Sequence, residues 1–265
     1  MIVFNECCLE SMKRMKDDYI DLTISSPPYN DLRNYEGYSF PFHNIARELY
    51  RITKKGGVVV WVVGDQVVKG SESGTSFRHA LYFMECGFNL HDTMIYEKNG
   101  STFPARRDGN RYTQIFEYMF VFSKGKPKTH NLLCDKKNVK QGFSTHKTTY
   151  RGKDGILKSR VQKPVPEFSP RNNIWRFITG KYCSTKDTVA FKHPAIFPEK
   201  LAEDHILTWS NPQDIVYDCF GGAGTSGIMS YKNNRKFIMS EISKEYTNII
   251  KERFKERFKI SIKCL

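Results

Sequence analysis

The chain has 265 residues, 39% of them hydrophobic and 14% aromatic, enough for one large α/β domain or one domain with a sizeable insertion. That composition excludes wholesale disorder, and the longest purely apolar run, Val58 to Val63, is far short of the roughly 20 residues of a membrane helix. The net charge is +14, and the stretch from Lys98 to Lys192 alone carries 21 Lys and Arg against 6 Asp and Glu, so the excess positive charge sits in one contiguous segment.

The N-terminus, Met-Ile-Val-Phe-Asn-Glu, lacks a basic region followed by a long apolar stretch, so no signal peptide is expected. Ile20 to Ile24 is a short apolar run closed by Ser25-Ser26-Pro27-Pro28-Tyr29, where two prolines must end a strand. Ile45, Leu49 and Ile52 at helical spacing predict a helix over 42–52, stopped by Lys54-Lys55-Gly56-Gly57. Val58 to Val63 predicts a strand buried on both faces, as in a parallel sheet, and a helix follows over 77–86 until Gly87.

From 98 to 192 the pattern changes. This stretch is basic, rich in Gly, Ser, Thr and Asn, and poorly periodic, with one clear strand from Ile115 to Phe122. It reads as a loop-rich insertion, with no regular structure assigned to 134–172. Its charge lies beside aromatics (Tyr112, Phe116, Phe143, Tyr150, Trp175), which favours a polyanion such as nucleic acid over a merely solvated face. After 193 the α/β pattern returns. Glu199 to Trp209 predicts a helix, Asp214 to Tyr217 a strand, and Lys236 to Ser240 another strand ending at Glu241. The last helix begins near Ser243 as N-cap, with Tyr246, Ile249, Ile250, Phe254 and Phe258 on one face. The expected organisation is therefore one domain from 1–97 and 193–265, interrupted by a basic insertion at 98–192.

Two loops carry the chemistry. Asp218-Cys219-Phe220-Gly221-Gly222-Ala223-Gly224-Thr225 lies between a strand and a helix, where glycines let backbone approach a ligand. It is neither G-x-G-x-x-G nor a P-loop, and alone it could be a tight turn. Glu241, at the end of the next strand, adds a carboxylate able to accept two ribose hydroxyls; the plain alternative is an exposed acid. In the second loop, Pro27 and Pro28 remove two N–H donors, leaving the Ser26 hydroxyl and the Pro27 carbonyl as acceptors. Tyr29 offers a flat face for stacking. Together they suit a planar heterocycle bearing an amino group; the plain alternative is a rigid loop capping a strand.

Ser-Pro-Pro-Tyr, followed later by Asp-x-Phe-x-Gly-x-Gly-Thr and an acid, resembles the N4-cytosine and N6-adenine DNA amino-methyltransferases. The catalytic loop precedes the cofactor loop, which resembles the circularly permuted β group, whose target-recognition region lies between them, where 98–192 falls here. His193-Pro194-Ala195-Ile196-Phe197-Pro198-Glu199-Lys200-Leu201 and Phe237-Ile238-Met239-Ser240-Glu241-Ile242 look like further family segments, as does Arg51-Ile52-Thr53-Lys54-Lys55-Gly56-Gly57. The likeness spans 1–97 and 193–265. It implies a doubly wound, mostly parallel sheet in which strands 20–24 and 214–217 are neighbours, with the insertion flanking their common cleft. It implies S-adenosyl-L-methionine as cofactor, held by Cys8, Phe197, Asp218, Phe220, Gly222, Gly224, Thr225 and Glu241. The implied catalytic residues are Ser26, Pro27, Pro28 and Tyr29. Cys219 and Ala223 replace the family's usual Pro and Ser, and Glu6-Cys7-Cys8-Leu9 stands where Gly-Asp is common, leaving backbone contacts at Cys8.

The implied reaction is direct methyl transfer to an exocyclic nitrogen of a flipped base. Ser26 and the Pro27 carbonyl would accept from the NH2 protons and localise the nitrogen lone pair. Cytosine-C5 chemistry would need a Cys after a Pro, and none is present; Cys86 and Cys219 read as buried and inert, and His193 as structural. Ser at the first motif position favours N4 of cytosine, with N6 of adenine the alternative and RNA or a protein amide a second one. Arg106, Arg107 and Arg111 are candidate DNA contacts. The implied partners are double-stranded DNA, with a homodimer and a cognate restriction endonuclease compatible with the group. Seven scattered cysteines without Cys-x-x-Cys spacing argue against a disulfide framework or a metal site, and a cytoplasmic location follows as expectation.

Overall fold

The computed structural model describes residues 1–28, 40–100, 110–139, 141–142, 148–160 and 163–265. Two compact units emerge: residues 1–131 with 173–265, and residues 132–172. The larger unit holds a nine-stranded sheet. In chain order its strands are β1 (Ile2–Phe4), β2 (Ile20–Ser25), β3 (Thr53–Val63), β4 (Asn89–Lys98), β5 (Phe116–Ser123), β6 (Ile174–Phe177), β7 (Ile215–Asp218), β8 (Lys236–Ser240) and β9 (Lys263–Cys264). Their spatial order is β6-β4-β5-β3-β2-β7-β8-β1-β9. All pairings are parallel except those of β5, which runs against both β3 and β4.

Among the described residues, six α-helices accompany these strands: α1 (Cys8–Lys13), α2 (Phe42–Ile52), α3 (Thr75–Glu85), α4 (Glu199–Trp209), α5 (Thr225–Lys232) and α6 (Lys244–Phe258). The apolar stripe of α2 explains its burial: Phe42, Ile45, Ala46, Leu49 and Ile52 all face the core. Trp61 and Val59 of β3 meet Phe83 of α3 and Phe122 of β5 in the same cluster. Chain order reverses between β2 and β7. From β2 the chain crosses through α2 to β3 on one side, and from β7 through α5 to β8 on the other. This is the switch point of a doubly wound sheet, and a crevice opens there outside the strand ends. The neighbours expected from sequence are paired, Leu22 with Val216 and Thr23 with Tyr217. At their other end Asp21 locks them: Oδ2 accepts the Ile215 N–H at 2.9 Å and the Lys54 ammonium at 2.7 Å.

Several sequence expectations shift. Lys54-Lys55-Gly56-Gly57 does not separate α2 from a strand starting at Val58; β3 already begins at Thr53. The pairing passes from Ile20–Thr53 to Leu22–Val58 through an irregularity, so the two glycines sit in a bulge. The stretch 98–192 is not wholly an insertion, since β5 and β6 lie in the main sheet. Trp175 is not a surface aromatic: it is 7% exposed, with the His205 ring 4.7 Å away. Cys86 is only half-buried, while Cys219 is buried. The described part of the smaller unit holds two short antiparallel pairs, Thr148–Arg151 with Leu157–Arg160 and Lys136–Lys137 with Phe168–Ser169. Arg171 and Asp135 form an ion pair within it. Among the described residues no helix is long and apolar enough to cross a membrane.

Candidate active site

A cleft of about 1120 Å³ opens at the carboxyl ends of the sheet strands, and every residue lining it belongs to the larger unit. From the sequence-predicted residues it collects Cys8, Ser26, Pro27, Pro28, Phe197, Asp218, Phe220, Gly222, Thr225 and Glu241. Gly224 does not line it. Its φ of +78° closes the turn, and a Cβ there would lie 2.9 Å from Ile250 Cγ1, so its role is packing. Tyr29, Arg106 and Arg107 lie outside the described residues. Arg111 is exposed, donates to the Gly70 carbonyl and does not line the cleft.

The glycine loop owes its shape to three anchors. Asp218 ends β7, and its carboxylate faces inward: Oδ1 accepts from Ser25 Oγ at 2.6 Å and from the Phe220 N–H at 3.0 Å, and Oδ2 accepts from Ser226 Oγ. Burial pushes this carboxyl up to about 6 against those three donors. Glu241 ends β8. Its Oε2 accepts the Gly222 N–H at 2.7 Å and its Oε1 the Ser243 N–H at 2.8 Å. Burial raises it to about 7, and the same backbone donors oppose the rise. A carboxylate oxygen can accept more than one hydrogen bond, and Glu241 lines the cleft. At Gly222 the backbone has φ +49°, and a Cβ would come within 3.1 Å of His193 Nε2. The His193 ring packs against Tyr246 at 4.3 Å, and its Nδ1 lies 2.8 Å from the Ala195 carbonyl. It therefore shapes the loop and the Ala195–Phe197 wall.

The third anchor was not legible as a site. Arg253 of α6 is fully buried and donates to the Ala223 carbonyl at 2.5 Å and to Thr225 Oγ1 at 3.1 Å. It also pairs with Asp187 and Glu199, each at 3.0 Å, and Arg257 adds a 2.6 Å bond to Glu199. The available sequence signal was a charged residue between Ile249, Ile250 and Phe254 on a buried stripe. Below the cleft floor, Ser240 Oγ joins Ser11 Oγ and the Tyr217 hydroxyl, the latter at 2.9 Å.

The cleft extends beyond the catalytic loop to the ends of β3, β4 and β5, where Gly64, Asp65, Tyr96, Lys98 and Glu117 line it. Lys98 is buried and pairs with Glu117. Sequence patterning missed β4, because its half-buried alternation is mostly polar. Among the described residues no group of His, Cys, Asp and Glu could hold a metal ion.

Comparison with known proteins places these features in a family. A family model for N6/N4 methyltransferases, described as DNA methylase, matches residues 20–252. The orphan methyltransferase M.BamHII of Bacillus amyloliquefaciens is 62% identical over 241 residues, covering 90% of each chain. The fold is similar to that of the PvuII DNA methyltransferase (cytosine-N4-specific), with 22% identity and a TM-score of 0.71 over 95% of this chain and 85% of that one. It is also similar to a DNA modification methylase from Thermus thermophilus, solved in complex with S-adenosyl-L-methionine. There the identity is 22% and the TM-score 0.66 over 100% of this chain and 99% of that one.

Proposed function

This chain belongs to the DNA methylase family of N6/N4 methyltransferases, and from that premise we propose that it methylates N4 of cytosine in double-stranded DNA. S-adenosyl-L-methionine supplies an electrophilic methyl group when bound. The observation that carries the reading is the meeting of two loops in one cleft: Ser26-Pro27-Pro28 at the end of β2 and Phe220–Thr225 at the end of β7.

The cofactor fits the donor set. Glu241 presents a buried carboxylate on the cleft wall whose oxygens can accept ribose hydroxyls, and the Gly222 and Ser243 N–H groups hold it in place. Phe197 gives an apolar wall, and the backbone at Cys8 lies on the same rim. Ser26 Oγ and the Pro27 carbonyl accept from the exocyclic NH2. This draws the nitrogen lone pair out of ring conjugation, and no covalent enzyme intermediate is required. Tyr29 stacks on the flipped base in this proposal. Positioning supplies much of the rate, roughly 7–11 kcal/mol in favourable systems. Ser at position 26 is the feature that favours cytosine over N6 of adenine.

The order of the two loops supports assignment to the circularly permuted β group, with 98–192 as the stretch that holds and reads the duplex. Arg106, Arg107 and Arg111 are proposed DNA contacts on the strength of charge. A second copy of the chain and a cognate restriction endonuclease belong to the same proposal and rest on the sequence resemblance alone. Methyl transfer to mixed-sequence DNA, followed by mass spectrometry of the nucleosides, tests the reading. N4-methylcytosine is expected, and N6-methyladenine moves the chain to the adenine branch. No methylated nucleoside, despite cofactor binding, points to RNA or a protein amide.

A further inference from the structure

The backbone ladder between β2 and β7 ends at Thr23–Tyr217. Beyond that rung the two strands part, one into the catalytic loop and the other into the glycine loop. On its other side β2 stays paired with β3 as far as Ser25–Trp61. Ser25 is thus the last residue of β2 held in the sheet, and Ser26 is the next residue along.

Ser25 is 2% exposed. Its hydroxyl spans the opening between the parted strands, donating to Asp218 Oδ1 at 2.6 Å and accepting from Cys219 Sγ at 3.3 Å. Asp218 is itself tied to the glycine loop through the Phe220 N–H and to α5 through Ser226. Both carboxylate oxygens are therefore engaged by the chain's own donors. One short chain of bonds runs from Ser25 through Asp218 to Phe220 and Ser226. The Cys219 thiol takes part in it, and a proline at that position would have no donor.

We propose that Ser25 is a positioning residue: its bond to Asp218 fixes the spacing between the loop carrying the methyl acceptor and the loop holding the methyl donor. The inference rests on the methyl-transfer reading above and adds a cleft-lining residue whose hydroxyl is engaged by Asp218 and Cys219. In-line transfer depends steeply on that spacing, and a displacement of about 1 Å at the reacting atoms is enough to cost on the order of 100-fold in rate. Losing a link between loops should act on kcat more than on cofactor affinity, because the glycine loop keeps its other anchors, the Phe220 N–H and Ser226 on Asp218 and the Gly222 N–H on Glu241.

The test compares full-length wild type, S25A and S25T. It measures kcat on DNA, the cofactor Kd by calorimetry, and amide hydrogen exchange over residues 218–226 in the cofactor-free protein. S25A is expected to lose about 10- to 100-fold in kcat while the cofactor Kd moves by less than about 3-fold. Its glycine-loop amides should exchange about 10-fold faster than in wild type. S25T, which keeps the hydroxyl, should recover most of both. An S25A protein within about 2-fold of wild-type kcat and with unchanged exchange overturns the inference. So does an S25T protein as impaired as S25A, or failure of both variants to fold, since either outcome makes the site one of packing only. A wild type that binds the cofactor and methylates no DNA overturns the functional reading instead, and the exchange comparison then decides the tie by itself.

Discussion

Glu241 shows how burial and ligand chemistry act on one side chain. Its carboxyl rises to about 7 because the cleft wall desolvates it, yet the proposed ribose contact needs the ionised form as acceptor. Protonation below pH 7 removes that acceptor, so the cofactor Kd should rise as pH falls, by about 10-fold between pH 8 and pH 6. Titration calorimetry across that range checks it. E241Q should bind about 10- to 100-fold more weakly at pH 8, because a charge-assisted bond becomes a neutral one, and should show no slope with pH. Folding follows the opposite sign. The folded carboxyl holds its proton more tightly than the unfolded one, so the cofactor-free fold loses stability as pH rises from 4.5 through about 7. Gly224 makes a separate residue-scale case. An alanine there combines φ +78° with a Cβ 2.9 Å from Ile250, and G224A should cost about 1–3 kcal/mol in urea unfolding.

At the scale of elements, α6 is joined to the cleft through Arg253. The guanidinium lies at 0% exposure among the Ala223 carbonyl, Thr225, Asp187 and Glu199. R253M removes the cation but leaves two largely buried carboxylates, so a loss of about 3–5 kcal/mol is expected. Equilibrium unfolding in urea measures it, and a cost below about 1 kcal/mol would show that Arg257 alone satisfies both acids. This network also marks where sequence reading stopped. Elements with an uninterrupted signal were legible: α2 over 42–52, the Val58–Val63 core of β3, β8, and the Ser243 cap, whose Oγ accepts the Tyr246 N–H at 3.4 Å. β4 and β6 were not, because one face of each meets solvent and the other packs on neighbours far away in sequence. Local patterning cannot register such partners. The two loops were legible because their chemistry sits in short runs. The Ser25–Asp218 tie and the Arg253–Thr225 bond join residues 193 and 28 apart, and no run of sequence announces those pairings.

On the scale of the molecule, the charge distribution argues for where the duplex is held. The +14 net charge is concentrated between Lys98 and Lys192, and the smaller unit at 132–172 lies within that stretch. Two of that unit's cations are engaged internally, Arg171 with Asp135 and Lys158 with Asp154. Lys137, Lys153, Arg160 and Lys163 are exposed and make no ion pair among the described residues. If they neutralise phosphates, binding releases condensed counterions, and log K falls linearly with log salt by about 0.9 per phosphate contacted. A fourfold alanine variant at these positions should therefore flatten the salt slope by about 2–4 while leaving cofactor affinity and the unfolding midpoint unchanged. Fluorescence anisotropy of a labelled duplex between about 50 and 200 mM salt, conditions at which about 6–10 phosphate contacts cost roughly 10³–10⁵ in affinity, has ample range to resolve that difference. A slope equal to wild type would move the electrostatic footprint out of 132–172 and onto the cations of the larger unit. The two results thus separate a duplex held by the smaller unit from one held by the cations of the larger unit.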